Sequence, residues 1–475
     1  GNGVMVTNTW VKVVNEDQDD DDDPAEYHYY YMQKSGKAYK ASDNSTSTKF
    51  RTIDGKKYAF DADGKMLYGW VTEDGELATG DDGWKDAKYY CGSWEDGSMK
   101  TGWQKVTVYD DEDGKDDDYD YWFNFKSNGE KRGWKDSAGK ENWKSNGKYY
   151  SFDGRGVMIY EWALASGSTN ASSVSNWRYY NSPEDGARQT KGWFKVVAAE
   201  YLDLDRYNDD EDAWYYADGS GNIYAGEFKT IKGKKYAFRN DGRMLSGLKF
   251  IKEGTDDFAG VVADDDDNHS FDNEDDFLAQ ASTYFEGEGY KCYYFGGDED
   301  GAMRTGKTSL TFDGENTNFY FEKSGGKKGA GVTGEKDNKL YQSGMLLKAD
   351  SDDKYTVVDK ETHTKADGTK YVTYTKLDDA KAFMDSVKDN GGKVNDELAG
   401  KEGSTKVTVG SNTTKKAEDL AEAYSVELKD VKNHEYILVN TSGKVIDNKG
   451  KNKDGSDYYY VTNSNGKITN IYVED

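Results

Sequence analysis

The chain is short of the residues that usually carry chemistry or stiffness. Its 475 residues include only 2 Cys, 2 Pro and 4 His. Two cysteines, Cys91 and Cys292, cannot build a disulfide framework; one long-range bridge or two free small hydrophobes are the alternatives, and free thiols are the expectation. His28, His269, His363 and His434 are far apart and share no motif, and no H-E-x-x-H, C-x-x-C or G-x-S-x-G pattern occurs. Carboxylates are abundant, but glycosidase chemistry needs two of them held in a shaped cleft. The expectation is a chain that is not an enzyme. Positive charge is also scarce: 63 Lys and Arg face 90 Asp and Glu, for a net charge of −27. Such acidity argues against binding nucleic acid through its phosphates. No apolar run reaches the length of a transmembrane segment. The opening residues, GNGVMVTNTW, lack the charged and apolar regions of a signal peptide, as expected of a mature protein or an excised segment.

Hydrophobic residues make up 35%, which alone would suggest partial disorder. The aromatics argue the other way. At 14%, with 38 Tyr and 12 Trp, they are far too many for a disordered acidic chain and must supply the core. With 53 Gly against so little Pro, tight turns between strands are expected.

A near-duplicate organises the sequence. Residues 50–67 read FRTIDGKKYAFDADGKML and residues 228–245 read FKTIKGKKYAFRNDGRML, so that Gly55 matches Gly233 and Met66 matches Met244. Self-similarity at a fixed offset is the mark of a repeat architecture. The unit is an aromatic strand, a glycine turn, a Met or aliphatic residue, then Gly–aromatic. It recurs as YYCGSWEDGSMKTGW ending at Trp103, YWFNFKSNGEKRGW ending at Trp134, KYYSFDGRGVMIYEW ending at Trp162 and WRYYNSPEDGARQTKGW ending at Trp193. Met66, Met99, Met158, Met244 and Met303 hold one equivalent place after the turn, where they read as core filler. Each unit amounts to one hairpin, marginal alone and stabilised by stacking on its neighbours.

Acidic insertions lie between the two strands of a hairpin: NEDQDDDDD, DDEDGKDDD, YLDLDRYNDDED and ADDDDNHSFDNEDD. They read as solvated tips that blunt edge pairing, or as calcium sites built from carboxylate oxygens; the solvated reading is the stronger, and no other cofactor is expected. From 348 to 433 the repeat weakens. Residues 375–390 place Ala380, Phe383, Met384 and Val387 on one helical face. Residues 413–424 place Ala417, Leu420, Ala421 and Tyr424 at helical spacing, so two helices are expected. The expected class is mainly β: a β-hairpin repeat solenoid over 1–347, a small α+β domain or insert over 348–433, and terminal hairpins over 434–475.

Units such as GKKYAFDADGKMLYGW resemble the cell-wall-binding repeats of Gram-positive surface proteins, a group that includes choline-binding modules, glucan-binding repeats and clostridial-toxin repeats. The lysines Lys88, Lys148 and Lys235 before the tyrosines resemble the toxin and glucan branch more closely. The resemblance implies a β-solenoid with ligands in aromatic cages between units. It also implies ligand-binding roles for Trp70, Trp103, Trp134, Trp162 and Trp193, with Tyr90, Trp122, Tyr150 and Tyr180 as cage partners. The implied role is a secreted, bacterial cell-surface module that anchors to envelope choline or glycan. Two alternatives stand beside it: an adhesin that uses the solenoid as a spacer to bind a host or mucosal protein or glycan, and a structural filament or coat protein.

Overall fold

The computed structural model describes residues 3–135, 141–252, 261–262, 271–284, 286–297, 299–312 and 314–475. They fall into two compact units, Gly1–Tyr224 and Ala225–Asp475. The fold is mainly β, built of small antiparallel sheets.

In the first unit, seven two-stranded sheets are described, each a hairpin of consecutive strands. Examples are Thr9–Val14 with Tyr27–Met32, Gly102–Asp110 with Asp117–Phe125, and Gly192–Val197 with Asp212–Ala217. Turn chemistry explains the tightest of them. Asp54 and Gly55 both take positive φ, 48° and 83°, as a two-residue turn matched to strand twist requires. The duplicated segment of the second unit repeats this structure. Arg51 pairs with Tyr58 and Ile53 with Lys56; their counterparts Lys229 and Tyr236, and Ile231 and Lys234, pair likewise.

In several copies a second turn follows the aromatic strand and is held by a side chain. Asp61 accepts from the N–H groups of Asp63 (2.9 Å) and Lys65 (2.8 Å). Asp153, Asp218, Asn440 and Asn463 make the same pair of bonds two and four residues on. The oxygen satisfies two donors that the turn leaves without strand partners. Asp61→Ala therefore costs about 1–3 kcal/mol, whereas Asp61→Asn, with an acceptor oxygen in the same place, stays near wild type. Urea unfolding followed by Trp fluorescence checks both; equal stabilities for the two variants would dismiss the turn bonds.

The residue two places after the turn glycine then ties one hairpin to the one before. Met66 N donates to Tyr29 O (2.8 Å), Met99 N to Lys57 O (2.8 Å) and Met158 N to Trp122 O (2.9 Å). The Met side chain runs on beneath the next turn glycine. Met66 lies under Gly97 and Met158 under Gly186, where a Cβ would collide with the thioether. The expected core role of these methionines is what the packing displays.

The second unit carries wider sheets. Gly306–Phe312, Glu315–Phe321, Met345–Leu347, Lys339–Gln342 and Gly334–Lys336 form one of five strands, backed by the helix Glu274–Thr283 through Phe277. The helix expected over 375–390 is present as Ala380–Asp389. It is capped by Asp379, which accepts from Ala382 N at 2.7 Å, and it buries Ala380, Phe383, Met384 and Val387. The helix expected over 413–424 is not. Thr413–Lys416 is a strand, Ala417–Asp419 a single 3₁₀ turn, and Leu420–Glu427 a strand in a second five-stranded sheet. The reason is burial on both faces. Leu420 and Ala423 pack into one cluster while Tyr424 and Val426 join another, so the period-2 signal vanishes. A bulge between Leu420 and Glu422 disturbs the spacing further.

Cys91 and Cys292 are free and buried. Burial pushes the Cys91 thiol up to about 12 and raises Cys292 as well.

Candidate functional site between hairpins

The Gly–Trp step places an indole at the start of a strand, where it meets its cross-strand neighbour and the following hairpin. Trp10 pairs with Tyr31 and lies 4.9 Å from Tyr58 of the next hairpin. Trp70 pairs with Tyr90 (4.8 Å) and meets Phe123 at 5.0 Å. Trp103 meets Tyr150 at 5.1 Å, with Trp122 at 6.2 Å and Trp143 at 5.7 Å. Trp162 pairs with Tyr179 (5.1 Å) and meets Tyr215 at 5.0 Å. Trp193 pairs with Tyr216 at 5.1 Å. These centroid separations are those of edge-to-face and tilted aromatic pairs.

Not every candidate joins such a cluster. Tyr180, adjacent to Tyr179 on the strand, points to the opposite face; it is 2% exposed, with its hydroxyl 2.9 Å from Ser151 Oγ. Trp134 stands in a turn rather than at a strand start. Its N–H donates back to Asp86 O (2.8 Å), and its ring lies under Lys88 (4.6 Å) and Lys135 (4.8 Å). Trp122 donates to Glu184, which also pairs with Lys105. Trp10 was not among the sequence candidates, although Gly3-Val4-Met5 ahead of it repeats the Gly156-Val157-Met158 ahead of Trp162.

The clusters differ in what covers the rings. Over Trp70 stands a buried amine, that of Lys131, 5.2 Å from the ring centroid. Trp143 carries Arg132 at 4.2 Å. Trp162 instead lines an open cleft of about 890 Å³, together with Trp177, Tyr179, Tyr201 and Tyr207 and the acidic Glu161, Glu200, Asp210 and Asp212. The indole N–H groups here are already used: Trp162 donates to Val197 O and Trp177 to Ala171 O, both at 2.8 Å. The cleft therefore offers ring surfaces and carboxylates. Burial first, then Glu161 and Asp212, pushes the Tyr179 hydroxyl up to about 12, so it stays protonated at neutral pH. Rings beside carboxylates suit a weakly hydrated cation such as a quaternary ammonium.

The cleft floor is strained. Glu161 takes φ of 56°, in the place where Gly69 and Gly102 supply the positive φ in other copies. Tyr201, 68% exposed, belongs to the third acidic insertion, which also contains the short helix Leu204–Asn208.

Two carboxylates of the acidic tips bond within the protein. Asp23 binds His28 (2.7 Å) and Tyr68 (2.8 Å). Asp110, fully buried, accepts from Tyr121 (2.5 Å) and Arg155 (2.9 Å). Among the described residues, no group of three or more His, Cys, Asp or Glu converges to hold a metal ion. Residues 263–270 of the fourth tip, and His269 with them, lie outside the described residues. The letters GAMRTGKT at 301–308 fit a phosphate-loop spacing, but the segment is a repeat turn that runs into the strand Gly306–Phe312, not into a helix whose N-terminus could receive phosphate. No described helix is long and apolar enough to cross a membrane.

No family model and no curated protein matches the sequence. Solved structures similar to the chain include choline binding protein F from Streptococcus pneumoniae, at 20% identity and a TM-score of 0.36, covering 69% of this chain and 94% of that one. The modular autolysin LytC of the same organism, in complex with a synthetic peptidoglycan ligand, matches at 17% identity and a TM-score of 0.32, covering 76% and 57%. Alternansucrase in complex with isomaltononaose matches at 18% and 0.19, covering 63% and 18%. At these identities and scores no residue role passes from them to this chain. The solved structures that the chain resembles include choline-binding proteins, the group its repeats resemble in sequence.

Proposed function

We propose that the chain is a non-catalytic binding module of a secreted, cell-surface protein, and that it holds bacterial-envelope choline or glycan at aromatic sites between consecutive hairpins. One observation carries this reading: the Trp162 cleft exposes the faces of several rings beside four carboxylates. A quaternary ammonium gains there from ring quadrupoles and from the acidic field, and a sugar can stack on the same faces. The main-chain ties between successive hairpins support reading the repeats as turns of a β-solenoid. Passed over a choline-type matrix and a glucan matrix, the chain is retained by one and released by the free ligand. Passage through both without delay would sink the reading.

A further inference from the structure

The residue two places after the turn glycine of the following hairpin approaches the aromatic cluster, as Met66 does at Trp10. In the hairpin that follows Trp10 this residue is Met66, in the one that follows Trp103 it is Met158, and in the one that follows Trp162 it is Ile223; each bridges the last residue of its own aromatic strand or strand end. Beside Trp70 it is Lys131, which bridges Phe125 in the same way and makes the same main-chain tie, from its N to Lys88 O at 2.8 Å.

The lysine follows the path of a methionine and then continues. Its stem runs beneath Gly156, where a Cβ would stand 2.5 Å from Lys131 Cδ, as Met158 runs beneath Gly186. Its side chain is fully buried. Nζ ends 5.2 Å from the Trp70 ring centroid and 6.0 Å from that of Phe123, and donates to Trp84 O (2.7 Å) and Lys85 O (3.2 Å). Two ring faces and two carbonyls surround the amine, and its N–H groups donate to both carbonyls whether or not it carries its third proton. A buried amine without such partners would be strongly unfavourable.

We propose that Lys131 is the built-in occupant of the Trp70–Tyr90–Phe123 site, and that its amine fills the place of an external alkylammonium ligand, so that this copy is closed while the Trp162 cleft is open. The closure to an envelope cation rests on the function proposed above; the occupancy itself does not. The selectivity of the module then lies in one residue per copy. Met or Ile leaves an aromatic cluster available, and Lys fills it from within.

Chemical rescue tests the occupancy. Lys131→Ala empties the position and lowers Tm by roughly 5–10 °C. At pH 9, butylamine then recovers at least half of that loss, while equal sodium chloride or 1-butanol does not, and the wild-type Tm is unmoved. Equal rescue by 1-butanol, or no rescue by the amine, overturns the proposal. If Lys131→Ala does not fold, Lys131→Met decides the matter by calorimetric titration. It gains one choline-binding event over wild type, and adding Trp70→Ala removes it; a titration identical to wild type overturns the proposal. Failure of wild type to bind choline or glycan at all would sink the proposed function and leave the rescue result standing.

Discussion

Raising the pH from 7 to 10 stabilises the wild-type first unit relative to Lys131→Met. Burial pushes the Lys131 ammonium down to about 7; Asp153 and Asp86 oppose the shift and Arg155 adds to it. In the unfolded chain the same amine titrates near its ordinary value of 10.5. Between these two values the unfolded chain binds the extra proton, so stability rises with pH across that window. Below pH 7 both states are protonated and the contribution is flat at its minimum. The full span is on the order of 5 kcal/mol, and about 3 kcal/mol of it falls between pH 7 and 9.5. Methionine has no proton to exchange, so the variant lacks this slope. Urea unfolding of both proteins at pH 6.5, 8 and 9.5 measures it, since all other groups are common and cancel in the difference. Parallel curves would show that Lys131 keeps an ordinary proton affinity in the fold.

Trp162→Ala lowers ligand affinity by about 30-fold or more. A desolvated cation on an indole is worth about 2 kcal/mol, and Trp162 is the ring shared by the cleft and the next hairpin. Because it also packs on Tyr215 and Phe194, Trp162→Phe is the companion variant, keeping most of the packing with a weaker π surface. Glu161→Gly separates charge from stacking. Glycine accepts the positive φ without strain, so this variant gains up to about 1 kcal/mol of stability. It loses a carboxylate from the cleft, so a cationic ligand binds more weakly while a neutral glycan is held as before. Calorimetry with choline and with a glucan oligosaccharide gives both numbers; undiminished affinity in Trp162→Ala removes the cleft as the site.

The hairpins were legible because their signals are local. Asp54-Gly55 fixes a turn, and the KKYAF segments fix the strand, so the duplicated copies share one register. The amphipathic helix Ala380–Asp389 was legible for the same reason: one face buries four apolar residues. The strand Leu420–Glu427 was not, because two clusters cover its two faces and erase the alternation. At the candidate sites, the repeat located the indoles but not their surroundings. Trp134 follows a glycine like the others, yet the chain turns there and sends its ring toward Asp86. Tyr180 and Tyr179 are neighbours in sequence and opposite in direction. Lys131 was in plain view two residues after Gly129, as Met66 is after Gly64, but its meaning depends on which rings the next hairpin brings over it.

The tie from that position to the preceding hairpin is made by the amide, not by the side chain, and it is the same whether the residue is Met66, Lys131 or Arg188. Assembly and recognition are thereby uncoupled at a single position. A lineage of such chains can exchange one amino acid per unit, and so silence or expose individual binding positions, without redrawing the scaffold that displays them.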